Sequence, residues 1–420
     1  MRRGGARLNG RREGFGGRSL NDQSSQKQQA LNPDLLRSLL TSPGLHPALA
    51  PLLLALEEKE RHGDFGRAVL VDLGVVEVLM ESLNQDYGGE KGALSSDLKV
   101  ARLRLLKVRL LTSLSSIILS ESKSQYGEAL LSCCCAAFRR AVSQGGSAVR
   151  PEERIAWLAL LAVLLCRAQE TVIAHLAEVL GYLAVLAGIH SSGSSCNLVP
   201  TNLPHLHFTR TSASEPEQKE LSCPDTSESE LSCDELVSDV EFRVKRIEAF
   251  VQRDALLSLG IIAKRFPKKE VVAFWFLFLS DPSFSPLSGS MTDLIEQGQK
   301  KARYQALAIL TDFLSHSAQF LALAQHSEKA SSYTSLSTAL ARAVLSLHQL
   351  LLRRLREPLS PTEVVALLKM VATLAENCSY PRLAPGLLEE VITVCLTVAR
   401  EERNPVIQVF VNPPSRSIVF

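Results

Sequence analysis

Three consecutive cysteines, Cys133 to Cys135, are the residues of this chain whose types most directly suggest chemistry. Thiolates act as metal ligands and as nucleophiles. Neighbouring residues on a helix are about 100° apart, so three successive thiolates cannot converge on one tetrahedral ion without ligands from elsewhere. We therefore predict that the triplet consists of small buried core residues rather than a metal or redox site.

A second set of possible metal ligands is spread over one polar stretch of the sequence. It consists of His190, Cys196, His205, His207, Cys223 and Cys233. Structural zinc sites use short, regular spacings such as C-x-x-C, whereas this set has irregular spacings and no such pair. We predict neither a metal site nor a cofactor.

Motifs for nucleophilic, phosphoryl-transfer or hydride chemistry are missing from the sequence. It contains no G-x-S-x-G, H-E-x-x-H or G-x-x-x-x-G-K-[ST] segment and no dinucleotide fingerprint after a strand. His175, His316 and His348 occur singly in helical segments, where a hydrogen-bonded interfacial histidine is the expected role. The sequence thus predicts no catalytic residue and a protein without enzymatic activity.

Basic residues recur near predicted helix ends in the second half of the chain and provide the main candidate site. Equivalent positions of successive helical pairs line up in a repeat protein, so these groups could form a continuous interaction ridge. The alternative is a set of solvated helix ends. The candidate ridge consists of Lys268, Lys269, Lys300, Lys301, Arg303, Arg353 and Arg354.

An acidic segment, residues 215–241, precedes these basic groups and holds ten acidic residues against one lysine. Four of its serines have an acidic residue three positions later, the context that acidophilic kinases recognise. Phosphorylation would add about −1.5 to −2 charges at each site. We predict phosphorylation at Ser222, Ser227, Ser232 and Ser238. We also predict that this acidic segment lies across the basic ridge and occupies it.

The composition indicates the elements that must position such groups. Hydrophobic residues make up 46% of the chain and aromatic residues only 5%, so the apolar content is mainly Leu, Ala, Val and Ile, which suits helices packed on helices. The longest uncharged apolar run, 155–166, is shorter than the roughly 20 residues that span a bilayer. One helical face, for example, consists of Leu336, Leu340, Ala343, Leu347, Leu350 and Leu351.

Internal sequence similarity and helix-breaking residues indicate the arrangement of the predicted helices, which number about a dozen. Val251–Leu256 is similar to Ala302–Leu307, about 51 residues later, and no strand pattern separates the helices. We predict an all-α fold, an α-solenoid of stacked ARM/HEAT-type helical pairs. The predicted parts are a basic Gly/Arg leader (1–31), a first helical array (32–189), a disordered Ser-rich acidic linker (190–235), a second array (236–403) and a truncated or aberrant tail (404–420).

The densest aromatic cluster lies in VVAFWFLFLSD and consists of Phe274, Trp275, Phe276 and Phe278. Burial of each ring would contribute on the order of 1.5 to 3 kcal/mol. We predict that these four residues belong to the hydrophobic core. Four aromatic residues in five positions point all around a helix, however, so one of them could be exposed as a binding anchor.

Four features of the second half belong together: the acidic Ser-Asp run, the unit from Arg303 to Leu307, the helix start Gln319-Phe320-Leu321 and a turn with Asn377, Tyr380 and Arg382. In these features residues 235–400 resemble the N-terminal region of the HEAT repeat-containing protein 6 family. The resemblance implies an ARM/HEAT-type solenoid with no assigned enzymatic activity, and a longer chain than this one.

These observations predict a scaffold or adaptor that binds other proteins, with the partner unidentified. The alternative is a nucleic-acid-associated nuclear factor that uses the basic ridge and the Arg-Gly pieces of the leader. Nine cysteines, an odd number, and an N-terminus without an apolar signal region favour the cytoplasm or nucleus, and no membrane partner is predicted.

Overall fold

A computed structural model describes the chain in residues 71, 74–88, 98–119, 124–143, 149–190, 198–203, 239–281, 287–325 and 335–401. Regular structure in these residues is entirely helical, and they contain no strand. The predicted all-α class is therefore confirmed. Outside the described residues lie the predicted leader, most of the predicted linker, the predicted tail and the four predicted phosphorylation sites Ser222, Ser227, Ser232 and Ser238.

Sixteen α-helices and one 3-10 turn are present in the described residues. The first six helices are α1 (Val75–Gly88), α2 (Leu98–Ile118), α3 (Ser124–Ser143), α4 (Pro151–Arg167), α5 (Gln169–Ala174) and α6 (Leu176–Leu186). The next six are α7 (Asp239–Arg265), α8 (Lys268–Val271), α9 (Trp275–Phe278), α10 (Met291–Gln297), α11 (Lys300–Leu314) and α12 (Ala318–Leu321). The last four are α13 (Leu336–Leu355), α14 (Pro361–Asn377), α15 (Tyr380–Leu383) and α16 (Leu387–Glu401).

Helix α13 shows how the sequence specifies these segments. The Ser335 hydroxyl accepts a hydrogen bond from the Thr338 backbone N–H at 3.2 Å and so caps the first turn. Five of the six positions predicted to share one face are buried and Leu336 is half-buried. Arg353 and Arg354 occupy the last turn, where the helix dipole favours a positive charge.

Ten of the described helices form two layers. One layer consists of α2, α4, α7, α11 and α14, which pack side by side in that order. The other layer contains α1, α3 and α6, which cover α2, α4 and α7, together with α10 and α13, which cover α11 and α14. Helix α16 packs on α13 at the end of this arrangement. Each helix of the first layer thus has one face against the second layer and an opposite face turned outward.

The two predicted arrays share one core. Helix α7 packs on both α4 and α6, and buried apolar residues form a single cluster from Val75 to Val398. Polar contacts cross the same junction: Arg154 pairs with Glu248, and the Gln252 side-chain amide donates to the Ala187 carbonyl at 2.9 Å. Residues 198–203, within the predicted linker, also contact the second half, since the Thr201 N–H donates to the Ala273 carbonyl at 2.8 Å.

The aromatic cluster is buried as predicted. Phe274, Trp275, Phe276 and Phe278 are each at most 5% exposed. A continuous helix would point such side chains in all directions, but here the chain breaks into α8, a 3-10 turn (Val272–Phe274) and α9, and all four rings enter the core. The Phe278 ring stacks on Phe313 of α11 with centroids 4.1 Å apart, which fixes this segment against the first layer.

The apolar run 155–166 lies within α4, where Trp157, Leu160, Leu161 and Leu164 are completely buried. None of the helices in the described ranges has the length and apolarity required to cross a membrane.

Candidate interaction surface

Five of the seven predicted ridge residues lie near the N-terminal end of α11. Lys300, Lys301 and Arg303 form the first turn of α11. Arg353 and Arg354 end α13, where Arg353 pairs with Glu296 and the Arg354 guanidinium donates to the Ile295 carbonyl at 3.3 Å. Because Ile295 and Glu296 lie at the end of α10, directly before α11, these five basic side chains are neighbours.

The other two predicted ridge residues lie at the opposite end of α11. The Lys268 ammonium donates to the Ala263 carbonyl at 3.1 Å, to the Phe313 carbonyl at 3.0 Å and to the Asp312 carbonyl. These acceptors belong to the last turns of α7 and α11, so one amine caps both helices. Burial lowers the pKa of Lys268 to about 8. Lys269 is exposed and pairs with Glu270 at 3.3 Å.

The length of α11 separates these two groups. Its 15 residues span roughly 22 Å at 1.5 Å per residue. The structure therefore brings together Lys300, Lys301, Arg303, Arg353 and Arg354, and places Lys268 and Lys269 apart from them. Whether either group binds a partner stays a prediction.

Acidic neighbours compensate most of the charge in the larger group. Arg303 pairs with Glu363 at 3.4 Å and Arg354 pairs with Glu357 at 2.7 Å. Lys300 and Lys301 are both exposed and have no acidic partner within the part of the chain that the structure describes. The Lys300 ammonium lies 6.0 Å from the centroid of the Tyr304 ring.

A surface that sequence reasoning missed lies on the outward face of α7, and we call it the α7 stripe. It consists of Arg246, Phe250, Arg253, Leu257 and Lys264. Phe250 is 36% exposed and Leu257 is 52% exposed, although both are large apolar residues on a long, well-packed helix. The Arg253 guanidinium carbon lies 4.9 Å from the centroid of the Phe250 ring, in cation–π contact.

The spacing of these residues explains their common face. Positions 246, 250, 253, 257 and 264 follow the four-and-three rhythm of one helical side, and Val251, Ala255, Leu259 and Ile262 occupy the opposite, buried side. Apolar residues on both sides of one helix are visible in the sequence, but this pattern does not show which side stays exposed.

The helices on both sides of α7 present small residues outward. Ala159 of α4 and Ala308 of α11 are exposed, and both helices pack directly on α7. The three helices belong to one layer and their opposite faces contact the second layer, so their exposed faces turn to the same side. Gly260 brings α11 close, since a β-carbon there would lie 3.4 Å from Ile309 Cγ1. Each neighbouring helix thus exposes a short apolar side chain on the same side as the α7 stripe.

The predicted cysteine triplet is part of the core. Cys133, Cys134 and Cys135 are buried free thiols, and the Cys133 thiol donates to the Asn84 side-chain carbonyl at 3.1 Å. Burial raises the pKa of Cys133 to about 11 and that of Cys135 to about 12, so these thiols are protonated at neutral pH. The core prediction for the triplet is confirmed. Among the side chains that the structure describes, no group of His, Cys, Asp and Glu could hold a metal ion.

The three single histidines differ in their positions. His348 is buried, with Nδ1 2.8 Å from the Val344 carbonyl and Nε2 3.2 Å from the Tyr380 hydroxyl, as expected for a hydrogen-bonded interfacial histidine. Burial lowers its pKa, which favours the neutral ring. The prediction is wrong for His175 and His316, which are exposed in turns at helix ends.

A buried ionic cluster joins α1, α2 and α4. The Arg104 guanidinium donates to both carboxylate oxygens of Glu153 at 3.1 Å, and the Tyr87 hydroxyl donates to the same carboxylate at 2.6 Å. Arg104 is 2% exposed and Glu153 is 1% exposed. Desolvation, followed by the Glu153 charge, raises the pKa of Tyr87 far above its usual range. Because the carboxylate is fully engaged and enclosed, this cluster holds helices together and offers no accessible base.

Residues 251–412 match the family model of a domain of unknown function, DUF4042. The match begins inside α7 and contains α8 to α16. It includes Arg253, Leu257 and Lys264 of the α7 stripe, whereas Arg246 and Phe250 directly precede it. The stripe is thus located at the start of the DUF4042 segment, where this segment packs on α4 and α6 of the first half.

Proposed function

We propose that this protein is a non-enzymatic helical-repeat scaffold of the ARM/HEAT solenoid type, and that it binds another protein through the α7 stripe. The exposed pair Phe250 and Leu257 on the central helix of the first layer is the observation that carries this proposal. Exposed aromatic, leucine and arginine side chains on a rigid helix are typical anchors of protein interfaces.

The order of the helices supports the solenoid part of the proposal. In a solenoid each helical pair contacts only its neighbours, so equivalent helices follow one another in a row. Here α2, α4, α7, α11 and α14 contact each other in chain order. Helices α7 and α11 carry the similar segments Val251–Leu256 and Ala302–Leu307, and their C-terminal ends meet at the Lys268 amine.

The chemistry of the buried groups supports a role without catalysis. The described thiols with raised pKa values, the enclosed Arg104–Glu153 pair and the hydrogen-bonded His348 are all engaged in packing. Functional surfaces of repeat proteins are extended faces rather than enclosed clefts. The α7 stripe has this form, because residues 246 to 264 extend over roughly 27 Å of one helix.

Affinity purification of the full chain with quantitative mass spectrometry tests the proposal. The test variant is Phe250→Ser with Leu257→Ser. A matched control is Ile392→Ser with Leu396→Ser on α16, whose side chains are 39% and 44% exposed. We expect a set of proteins to be lost with the α7 variant and retained with the α16 variant, at unchanged circular dichroism. Recovery of the same proteins in equal amounts with the α7 variant would refute the binding role.

Two exposed cations favour a second candidate function, association with nucleic acid. Lys300 and Lys301 lie beside Tyr304 without an acidic partner among the described residues, an arrangement that can contact phosphates and stack a base. Binding of an oligonucleotide should then fall steeply with salt, because each phosphate contact releases a counterion. A Lys300→Ala, Lys301→Ala variant should lower the salt slope by about 1 to 2. An unchanged slope would exclude these lysines from binding.

A further inference from the structure

We propose that the partner segment bound by the α7 stripe is an acidic amphipathic helix of another protein, with apolar side chains two turns apart and carboxylates beyond both ends of this apolar pair. This inference rests on the proposed function of the α7 stripe and specifies the chemistry of its partner. It is supported by the basic residues of α7, by the axial spacing of the exposed side chains of α7 and by the small residues on the neighbouring helices.

The charged side chains of α7 from residue 245 to its end are predominantly basic. Residues 245–265 of α7 expose five basic side chains, Lys245, Arg246, Arg253, Lys264 and Arg265. Residues 245–265 contain only two acidic groups, and both are already paired: Glu248 with Arg154 of α4, and Asp254 with Arg253 at 2.7 Å. Two further acidic residues, Asp239 and Glu241, lie in the first turn of α7.

Three of the cations are left without compensation. Arg246, Lys264 and Arg265 have no acidic partner in the described parts of the chain. Arg246 and Lys264 lie beyond the two ends of the apolar pair, so a bound segment must present negative charge on both sides of its apolar groups. Positively charged groups of a partner would be repelled at these positions, so the sign of the partner's charge determines specificity.

The apolar pair sets the spacing that the partner must match. Phe250 and Leu257 are seven residues apart, which is roughly 10.5 Å along the helix axis. Apolar residues at positions i and i+7 of a second helix have the same separation on one face. Arg246 and Lys264 are about 6 Å and 10.5 Å outside this pair, within reach of glutamates one to two turns further along such a helix.

The two helices beside α7 each expose a short side chain, Ala159 on α4 and Ala308 on α11, and Gly260 lets α11 approach α7 closely. Helices pack closely where small residues adjoin larger anchors, because ridges then enter grooves. Leu257, the more exposed member of the pair, has neither a positive charge nor a hydrogen-bond donor that could contact a phosphate. This argues against binding of nucleic acid at this particular surface.

Fluorescence anisotropy with the full chain tests the inference. The probe is a fluorescein-labelled 18-residue helical peptide with leucines at i, i+3 and i+7 and glutamates one to two turns beyond each end of the leucine set. One control peptide has lysine at every glutamate position, and another keeps the composition but contains a central proline that breaks the helix. We expect the acidic helical probe to bind at least about tenfold more tightly than either control.

Matched protein variants locate the binding. Leu257→Ser should weaken the acidic probe at least about tenfold, and Arg246→Glu or Lys264→Glu should each weaken it about three- to tenfold. Leu396→Ser and Arg400→Glu on α16 change residues of the same types in similarly exposed positions and should have no effect. Circular dichroism of each variant checks that the fold is retained.

Several results would overturn the inference. If the lysine peptide bound as tightly as the acidic probe, the charge of the peptide would not determine binding. If the proline peptide bound as tightly, a helical conformation would not be required. Equal losses with the α16 variants would place the probe elsewhere. These results leave the proposed function intact as long as the Phe250→Ser, Leu257→Ser variant still loses its captured proteins. The proposed function itself fails only if that variant captures the same proteins in equal amounts.

Discussion

Two chemically identical substitutions, Leu310→Ala and Leu257→Ala, should have very different effects on stability. Leu310 is completely buried on α11, the helix that packs between α7 and α14, whereas Leu257 is 52% exposed on α7. Both residues are leucines in the same layer, so helix propensity and side-chain volume change equally. The difference between them isolates the contribution of tertiary packing.

The expected magnitudes follow from burial. Truncation of a fully buried leucine removes its transfer free energy and leaves a cavity between packed helices, which together cost about 2 to 5 kcal/mol. At Leu257 about half of the side chain is already in water and no closed cavity forms, so the cost should be below about 1 kcal/mol. Lys300→Ala, at an exposed position in the first turn of α11, should change the free energy of unfolding by about 0.5 kcal/mol or less.

Urea denaturation followed by tryptophan fluorescence measures these differences. The chain has two tryptophans, Trp157 in the first half and Trp275 in the second, and both are completely buried. A Trp157→Phe background makes Trp275, which lies in the aromatic cluster that packs on α11, the only reporter. Equal shifts for Leu310→Ala and Leu257→Ala would refute the assignment of inward and outward faces on this layer.

Three further predictions concern the buried and charged groups. Glu153→Gln should destabilise the chain by about 3 to 5 kcal/mol in denaturation, because Arg104 would remain buried without a counter-charge, and a loss below about 1 kcal/mol would contradict the enclosed pair. Because burial raises the pKa of Cys133 to about 11 and that of Cys135 to about 12, iodoacetamide at pH 8 should alkylate both far more slowly in the folded chain than in urea, as mass spectrometry of the peptide would show. Deletion of 215–234 should increase binding of the acidic probe at low salt if the acidic segment competes for basic groups, and unchanged affinity would count against that competition.

Much of the fold could be predicted from local pattern. The periodic apolar positions of α13, the low aromatic content and the scarcity of strand alternation led to an all-helical interpretation, because side-chain periodicity follows directly from helix geometry. Burial of the cysteine triplet and of the aromatic cluster was predictable for a related reason, since apolar side chains that cannot converge on a ligand are most stable in a core.

The charged groups were much less predictable. A ridge inferred from seven basic residues near helix ends separates into two groups, because α11 places Lys268 and Lys300 at its opposite ends. Sequence position shows that a lysine is near a helix terminus but not which neighbouring helix supplies its carbonyl or carboxylate partners. The enclosed Arg104–Glu153 pair was missed for the same reason, since its members are 49 residues apart.

The sequence by itself therefore determined the helical class and the apolar faces of long helices such as α13, because both depend on contacts within a few residues along the chain. Only the tertiary structure decided which apolar side chains stay uncovered. Phe250 and Leu257 resemble core residues in the sequence, yet α4, α6 and α11 occupy the other sides of α7 and leave this face to solvent. Exposure depends on how many helices pack around a given one, which is a property of the assembled layers.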